Sequence, residues 1–204
     1  MASDQWIYEP SADDSARFVL GTVGVKPLVC FGINPSTAAP GVPDRTVARV
    51  SKFAVDNGYD SWTMLNVYPQ IATDPKNLDR EYRPDLKAEN ERHIADTIDD
   101  RPLTLLAAWG GLISIRPFLP LLLKDIIRLN SVARCNWIAL GDPTKGGHPR
   151  HPLYVRAATP LKVFNMNEYL ETQCPESLTT GFRRPLGWGP GAASELSVFS
   201  EESH

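Results

Sequence analysis

"CFGINPSTAAPGVPDRT", Cys30 to Thr46, opens as a buried strand and closes on a helix start, with Asn34, Ser36 and Thr37 between. The run that enters it, "KPLVCFGI" (26–33), is apolar at both alternating sets of positions, the pattern of a central strand covered on two faces. The run that leaves it, "RTVARVSKFAVDNG" (45–58), places Val47, Val50 and Ala54 at helical spacing behind Asp44, a good N-cap, with Gly58 set to end the helix. A polar loop between such elements decides the fold class, because strand, loop and helix in that order are the unit of a parallel sheet.

The same alternation continues on either side. Upstream, "ARFVLGTV" (16–23) reads as a strand joined to the central one by a short turn with Gly24. Downstream, "SWTMLNVYP" (61–69) is the next strand, followed by the turn-rich "QIATDPKNL" and a polar helix from about Asp85 to Asp99. "LTLLAAWGG" (103–111) is a further strand, and "LISIRPFLPLLLKDIIRL" (112–129) a helix whose start is blurred by Pro117 and Pro120. "CNWIALG" (135–141) supplies the last expected strand. The reading is an α/β fold, a three-layer sandwich with a central, mostly parallel sheet. Residues 1–170 are expected to form a single domain. From 171 to 204 the composition turns to Gly, Pro, Ser and Glu without a period, an irregular tail with a disordered end.

The totals agree. At 204 residues one well-buried core is attainable, and 42% hydrophobic with 22% charged residues is an ordinary globular balance. No apolar run approaches the roughly 18 residues of a membrane span, and "MASDQWIYEPSADDSARF" lacks the basic start and apolar core of a secretory signal, so a cytoplasmic protein is expected. Cys30, Cys135 and Cys174 are widely spaced and odd in number, which suits reduced thiols better than a disulfide framework or a zinc site. A net charge of −3 argues against a chain-wide electrostatic surface for nucleic acid and leaves a local basic patch open.

In open α/β sheets ligands sit beyond the carboxyl ends of the parallel strands. That rule gathers Asn34, Ser36 and Thr37 from the first loop, Asn66 and Tyr68 from the second, Trp109 and Gly110 from the third, and Asp142, Thr144, Lys145, His148, Arg150 and His151 from the fourth. Each has a plainer reading. Asn34 before Pro35 can simply shape a turn, Ser36 and Thr37 can cap backbone, and Tyr68 and Trp109 can be core. Arg45, Arg49 and Lys52 form a basic stripe at i, i+4, i+7, either solvated surface or a contact for phosphates. "TKGGHPRHPLY" (144–154) is the densest chemical segment, yet Gly146 follows Lys145 where a Walker loop needs Ser or Thr. His148 and His151 lack the companions of a metal pair, so no metal and no cofactor are expected. A histidine stiffened by proline, donating to a developing anion, is the functional reading of the segment.

Five motifs in order, "FGINPSTA", "DRTVARV", "LNVYPQIATDP", "AWG" and "HPRHPLY", resemble the domain of unknown function 1643 family across residues 16–165. "FGINPS" is also similar to the first motif of the uracil-DNA glycosylase superfamily, in particular its mismatch-specific branch, and "HPLY" to that superfamily's second motif. The second resemblance implies a uracil-DNA-glycosylase-like fold and hydrolysis of an N-glycosidic bond. On it Asn34 would place the attacking water, His151 would hydrogen-bond the departing base, and an aromatic such as Tyr68 could stack on that base. Ser36, Thr37, Asn66, Tyr68, Trp109, Lys145, His148 and Arg150 are expected to bind substrate, and Arg45, Arg49 and Lys52 to meet phosphate or nucleic acid. Ser36 stands where the branch has glycine, and the serine-rich wedge loop that follows the second motif is lacking. The expected partner is a nucleobase, a nucleotide or nucleic acid. The alternative is a non-catalytic nucleotide or nucleic-acid binding protein that uses the same strand-end pocket.

Overall fold

The structure, a computed structural model, describes residues 5–173. Seven strands form one sheet: β1 (Trp6–Pro10), β2 (Arg17–Thr22), β3 (Pro27–Gly32), β4 (Ser61–Asn66), β5 (Thr104–Ala107), β6 (Asn136–Leu140) and β7 (Leu161–Val163). The helices are α1 (Arg45–Asp56), α2 (Pro84–Ile98), α3 (Leu119–Ile127), α4 (Asn130–Ala133) and α5 (Met166–Gln173). The spatial order is β1-β2-β4-β3-β5-β6-β7.

β4, β3, β5 and β6 pair in parallel, Gly32 standing opposite Asn66 and Phe31 opposite Ala107. The flanks pair antiparallel: β1 with β2, β2 with β4, and β6 with β7. The expectation of a mostly parallel sheet is therefore corrected to a mixed one, with a parallel centre between antiparallel edges. The reason is the edge strands. β1 and β7 are only partly buried and carry no clear alternation, so their sequences do not announce them. The short link after β2 reverses the chain, too short for a parallel crossover. β4, arriving after α1, then inserts between β2 and β3, which are neighbours in sequence but not in the sheet.

The alternation along β3 sorts the core into two layers. Leu28 and Cys30 face one side with Met64 and Leu106, where Val47, Val50, Phe53 and Ala54 of α1 cover them. Val29 and Phe31 face the other side with Leu65, Leu105 and Ala107, beneath Ile94 and Ile98 of α2 and Leu119, Leu122 and Ile126 of α3. Each aliphatic side chain so buried contributes about 1.5–3 kcal/mol. Burial also pushes the Cys30 thiol up, so it stays protonated and serves as a small apolar side chain.

α1 begins as its sequence indicates: Asp44 Oδ1 accepts the Val47 N–H at 2.8 Å, and Gly58 follows the helix in the left-handed region at φ +73°. The segment 112–129 is resolved into short 3-10 turns over Gly110–Ile115 and then α3, which starts at Leu119 with Pro120 in its first turn, where its missing N–H does no harm. α5 runs across the expected boundary at residue 170, and of the irregular tail expected over 171–204 the part from 174 onward, with Cys174 in it, lies outside the described residues. Among the described residues no helix is long and apolar enough to cross a membrane.

From β3 the chain leaves for α1 on one face of the sheet, whereas from β4 and β5 it leaves for α2 and α3 on the other. The loops therefore part beside the carboxyl end of β3, the point at which a sheet of this kind opens a crevice.

Candidate functional site

A cleft of about 540 Å³ occupies that crevice. It is lined by Gly32 to Asn34, Ser36 and Thr37 from the end of β3, Pro43 to Val47 from the start of α1, and Asn66 from the end of β4. Ala72, Thr73 and Pro75 follow from the next loop, then Trp109 and Leu112 from beyond β5, and His151, Leu153 and Tyr154 from beyond β6. Arg17 and Met64 complete the wall.

Asn34 is held by its amide. Its Nδ2 donates to the Ala72 carbonyl at 2.7 Å and to the Pro35 carbonyl at 2.8 Å. With both N–H groups on carbonyls, the nitrogen and oxygen are unambiguous, and Oδ1 is left as an acceptor in the lining. The Ala72 N–H returns to the Pro35 carbonyl at 3.0 Å, so the two strand-end loops brace each other around this side chain.

His151 is fixed in the complementary sense. Its Nδ1 accepts the Leu153 N–H at 3.3 Å at the start of the turn Pro152–Tyr154, which places the proton of the neutral ring on Nε2. Burial lowers its pKa below the ordinary value, opposed by the nearby Asp44 carboxylate, so the ring is a neutral donor at pH 7. Arg49 anchors the segment from α1, with Nη2 donating to the Val155 carbonyl at 2.7 Å and Nε to the Pro152 carbonyl at 3.4 Å. Gly110, at φ +62°, lets the chain turn after Trp109 and approach His151.

Two buried polar groups of the wall have no hydrogen-bond partner: Nδ2 of Asn66, a residue 2% exposed, and Nε of Arg17, 3% exposed. Gly32 matters to the first, because a Cβ there would lie 2.9 Å from Asn66 Oδ1. The Arg17 guanidinium is anchored through Nη1, which donates to the Ala38 carbonyl.

The cleft thus brings together Asn34, Ser36, Thr37, Arg45, Asn66, Trp109 and His151 of the residues singled out in the sequence. It leaves others elsewhere. Tyr68 is fully buried in the core, its hydroxyl accepting the Arg83 N–H at 3.0 Å, and it does not line the cleft. Trp109 contributes to the wall while buried, with Nε1 donating to the Tyr169 hydroxyl at 3.0 Å. His148 is turned to the same hydroxyl, 3.0 Å from its Nδ1, and burial lowers its pKa. Lys145 borders a separate hollow with Gly146, Gly147 and α5, and Arg150 donates to the Asp142 carbonyl at 2.8 Å on another face. Lys52 pairs with Asp56 at 3.0 Å on the exposed side of α1.

Arg17, Asp44 and Tyr154 are among the residues of the lining that were not singled out as ligand groups. Tyr154 is 79% exposed at the mouth, its ring 5.6 Å from that of His151. Arg17 had one signal in the sequence, as the single charged residue of the strand "RFVLGT".

The fold and cleft define an α/β protein with a cleft at the carboxyl ends of its parallel strands. The family model described as protein of unknown function (DUF1643) matches residues 17–153, from the start of β2 through the His151 turn, and the chain belongs to that family. No curated protein and no solved structure matches the chain.

Proposed function

We propose that the cleft takes a ligand bearing a nucleobase and that the protein hydrolyses its N-glycosidic bond in the manner of a glycosylase, within a uracil-DNA-glycosylase-like fold. The observation that carries the reading is the pairing, in one cleft, of a fixed acceptor with a fixed neutral donor. Asn34 has spent both N–H groups on carbonyls, and His151 has its proton on Nε2.

The reaction needs that pair. Water adds to the anomeric carbon as the C–N bond breaks, the bonding electrons leave with the base, and the water proton passes to solvent. Asn34 Oδ1 accepts from the attacking water and aims its lone pair. His151 Nε2–H donates to the base oxygen on which charge builds, a contact stronger in the transition state than in the ground state. The Asn66 Nδ2, buried without a partner, donates to the edge of the base. Ser36 and Thr37 lie beside Asn34, where the sugar hydroxyls would come. No strong nucleophile is required, and the chemistry needs neither a metal nor an organic cofactor. A fold alone does not choose a reaction, so the reading stands on these side chains.

Incubation with single- and double-stranded oligonucleotides carrying uracil, mismatches and oxidised bases, together with free nucleosides and nucleotides, tests it by mass spectrometry of released base. Release is expected from at least one member. Asn34→Ala should slow it by about 10²–10³-fold while ligand affinity changes by only a few-fold, because the contact to water matters chiefly in the transition state. Absence of release from every member by the folded protein would overturn hydrolysis and leave a non-catalytic nucleotide or nucleic-acid binding protein using the same cleft.

A further inference from the structure

Arg17 is an unusual residue to find where it is. It opens β2, whose next residues Phe18, Val19 and Leu20 are all core, and it is itself 3% exposed. One guanidinium nitrogen, Nη1, donates to the Ala38 carbonyl, and Nε has no partner. Among the described residues no carboxylate lies within ion-pair distance of it; Asp44 acts on it only through space. Burial of a cation with no paired anion is strongly unfavourable, a cost that a ligand supplying the countercharge would offset. The same side chain lines the cleft.

Its surroundings favour an anion. The charged groups of the lining are Arg17, Arg45 and Asp44, two cations and one carboxylate beside a neutral His151, within a chain whose net charge is −3. The Asp44 carboxylate is committed through Oδ1 to the Val47 N–H. Of the rest of the basic stripe on α1, Arg49 holds the carbonyls of Pro152 and Val155, and Lys52 stands outside the cleft in an exposed pair with Asp56. A nucleic-acid strand is recognised by a row of cations along its backbone. Here only Arg45 of the stripe lines the cleft, and a single buried cation, Arg17, stands inside the pocket.

We infer that Arg17 is the receptor for a compact oxyanion on the ligand, and that the ligand is a free nucleotide, a nucleoside monophosphate whose phosphate meets the Arg17 guanidinium, rather than a nucleic-acid strand. This rests on the reading of the cleft as a nucleobase site. The bound phosphate accepts from Arg17 Nε, satisfying the orphaned donor, and its charge pairs with the buried guanidinium. A cleft of about 540 Å³ suits a ligand of that size.

The test is binding rather than turnover. Isothermal titration of the full chain compares nucleosides, their 5′- and 3′-monophosphates, inorganic phosphate, acetate and a single-stranded oligonucleotide, for the wild type and for Arg17→Gln and Arg17→Lys, with folding checked by circular dichroism. A monophosphate should bind on the order of 10- to 100-fold more tightly than its nucleoside, the range of a charge-assisted hydrogen bond. That ratio should fall towards one in Arg17→Gln and be partly kept in Arg17→Lys. A structural role for Arg17 would lower the melting temperature and leave the ratio intact, which overturns the proposal. So does a wild-type ratio near one, which needs no variant. Tighter binding of the oligonucleotide than of any monophosphate overturns the free-nucleotide assignment. Binding of phosphate or acetate that depends on Arg17, with no nucleoside bound, keeps the oxyanion receptor, overturns the nucleotide assignment and separates its failure from that of the nucleobase reading.

Discussion

Two polar regions lie close together along the rim of the sheet, and they differ in how completely they are satisfied. Behind the Trp109 wall, Nε1 of that residue, the Tyr169 hydroxyl and His148 Nδ1 form a connected relay beside the Phe164 ring, with His148 half-buried at its end. In the cleft, by contrast, Arg17 Nε and Asn66 Nδ2 are buried without partners, and Asn34 and His151 each keep one group in reserve after their anchoring bonds are made. A satisfied buried network specifies packing, whereas an unsatisfied one is a cost that a ligand can relieve. The segment richest in chemical groups, "TKGGHPRHPLY", divides between the two, His148 joining the first region and His151 the second, and a lone arginine at the head of an apolar strand adds to the second.

The contrast breaks most directly at His151. On the glycosylase reading His151→Ala removes the donor to the leaving base and should slow base release by about 10²–10³-fold. His148→Ala, although only three residues away, should leave the rate within a few-fold; equal losses from the two would merge the regions. The pH dependence sharpens the same point. Burial lowers the pKa of both rings below the ordinary 6.5, so the folded protein resists protonation that the unfolded chain accepts. Stability should therefore hold above that value and decline as pH falls below it, as denaturant titrations across pH 5–8 would record. Substituting His151 by Gln should make the decline shallower.

Tyr169→Phe tests the satisfied region. It removes the acceptor of the buried Trp109 N–H, and a group so stranded costs about 1–3 kcal/mol, readable as a shift in the denaturation midpoint. Ligand affinity should not move. A large loss of affinity with unchanged stability would place the relay in the site after all.

The smallest effects separate the members of the basic stripe. Arg49→Ala should cost on the order of 1 kcal/mol in stability, because it releases the Val155 carbonyl that steadies the His151 turn. Lys52→Ala breaks only an exposed pair with Asp56 and should fall within about 0.5 kcal/mol. Arg45→Ala should leave stability alone and lower the salt dependence of ligand binding, since Arg45 is the exposed cation of the lining. Equal behaviour of the three in stability and salt titrations would return the stripe to undifferentiated surface.

Much of the fold was legible in the linear pattern. The doubly apolar run of β3, the capped helix α1 behind Asp44, and the polar loops after β3, β4, β5 and β6 all follow from local rules of periodicity, capping and turn chemistry, which act over a few residues. From them came the α/β class and the rim on which Asn34, Asn66 and His151 meet. Strand direction at the edges was not legible, because β1 and β7 are partly buried and carry little pattern, and because the place of β4 between β2 and β3 depends on where a distant crossover lands. That placement had the largest consequence for the site. Running against β4, β2 begins at the rim where the parallel strands end, so Arg17 is carried into the cleft. Likewise no local rule tells His151 from His148: the first turns to the cleft and the second to Tyr169, 21 residues further along the chain. The sequence determined which chemical groups stand at the strand ends, since those rules are short-range. Only tertiary packing decided which of them are satisfied by the protein and which are left without a partner, because satisfaction depends on groups brought together from distant parts of the chain.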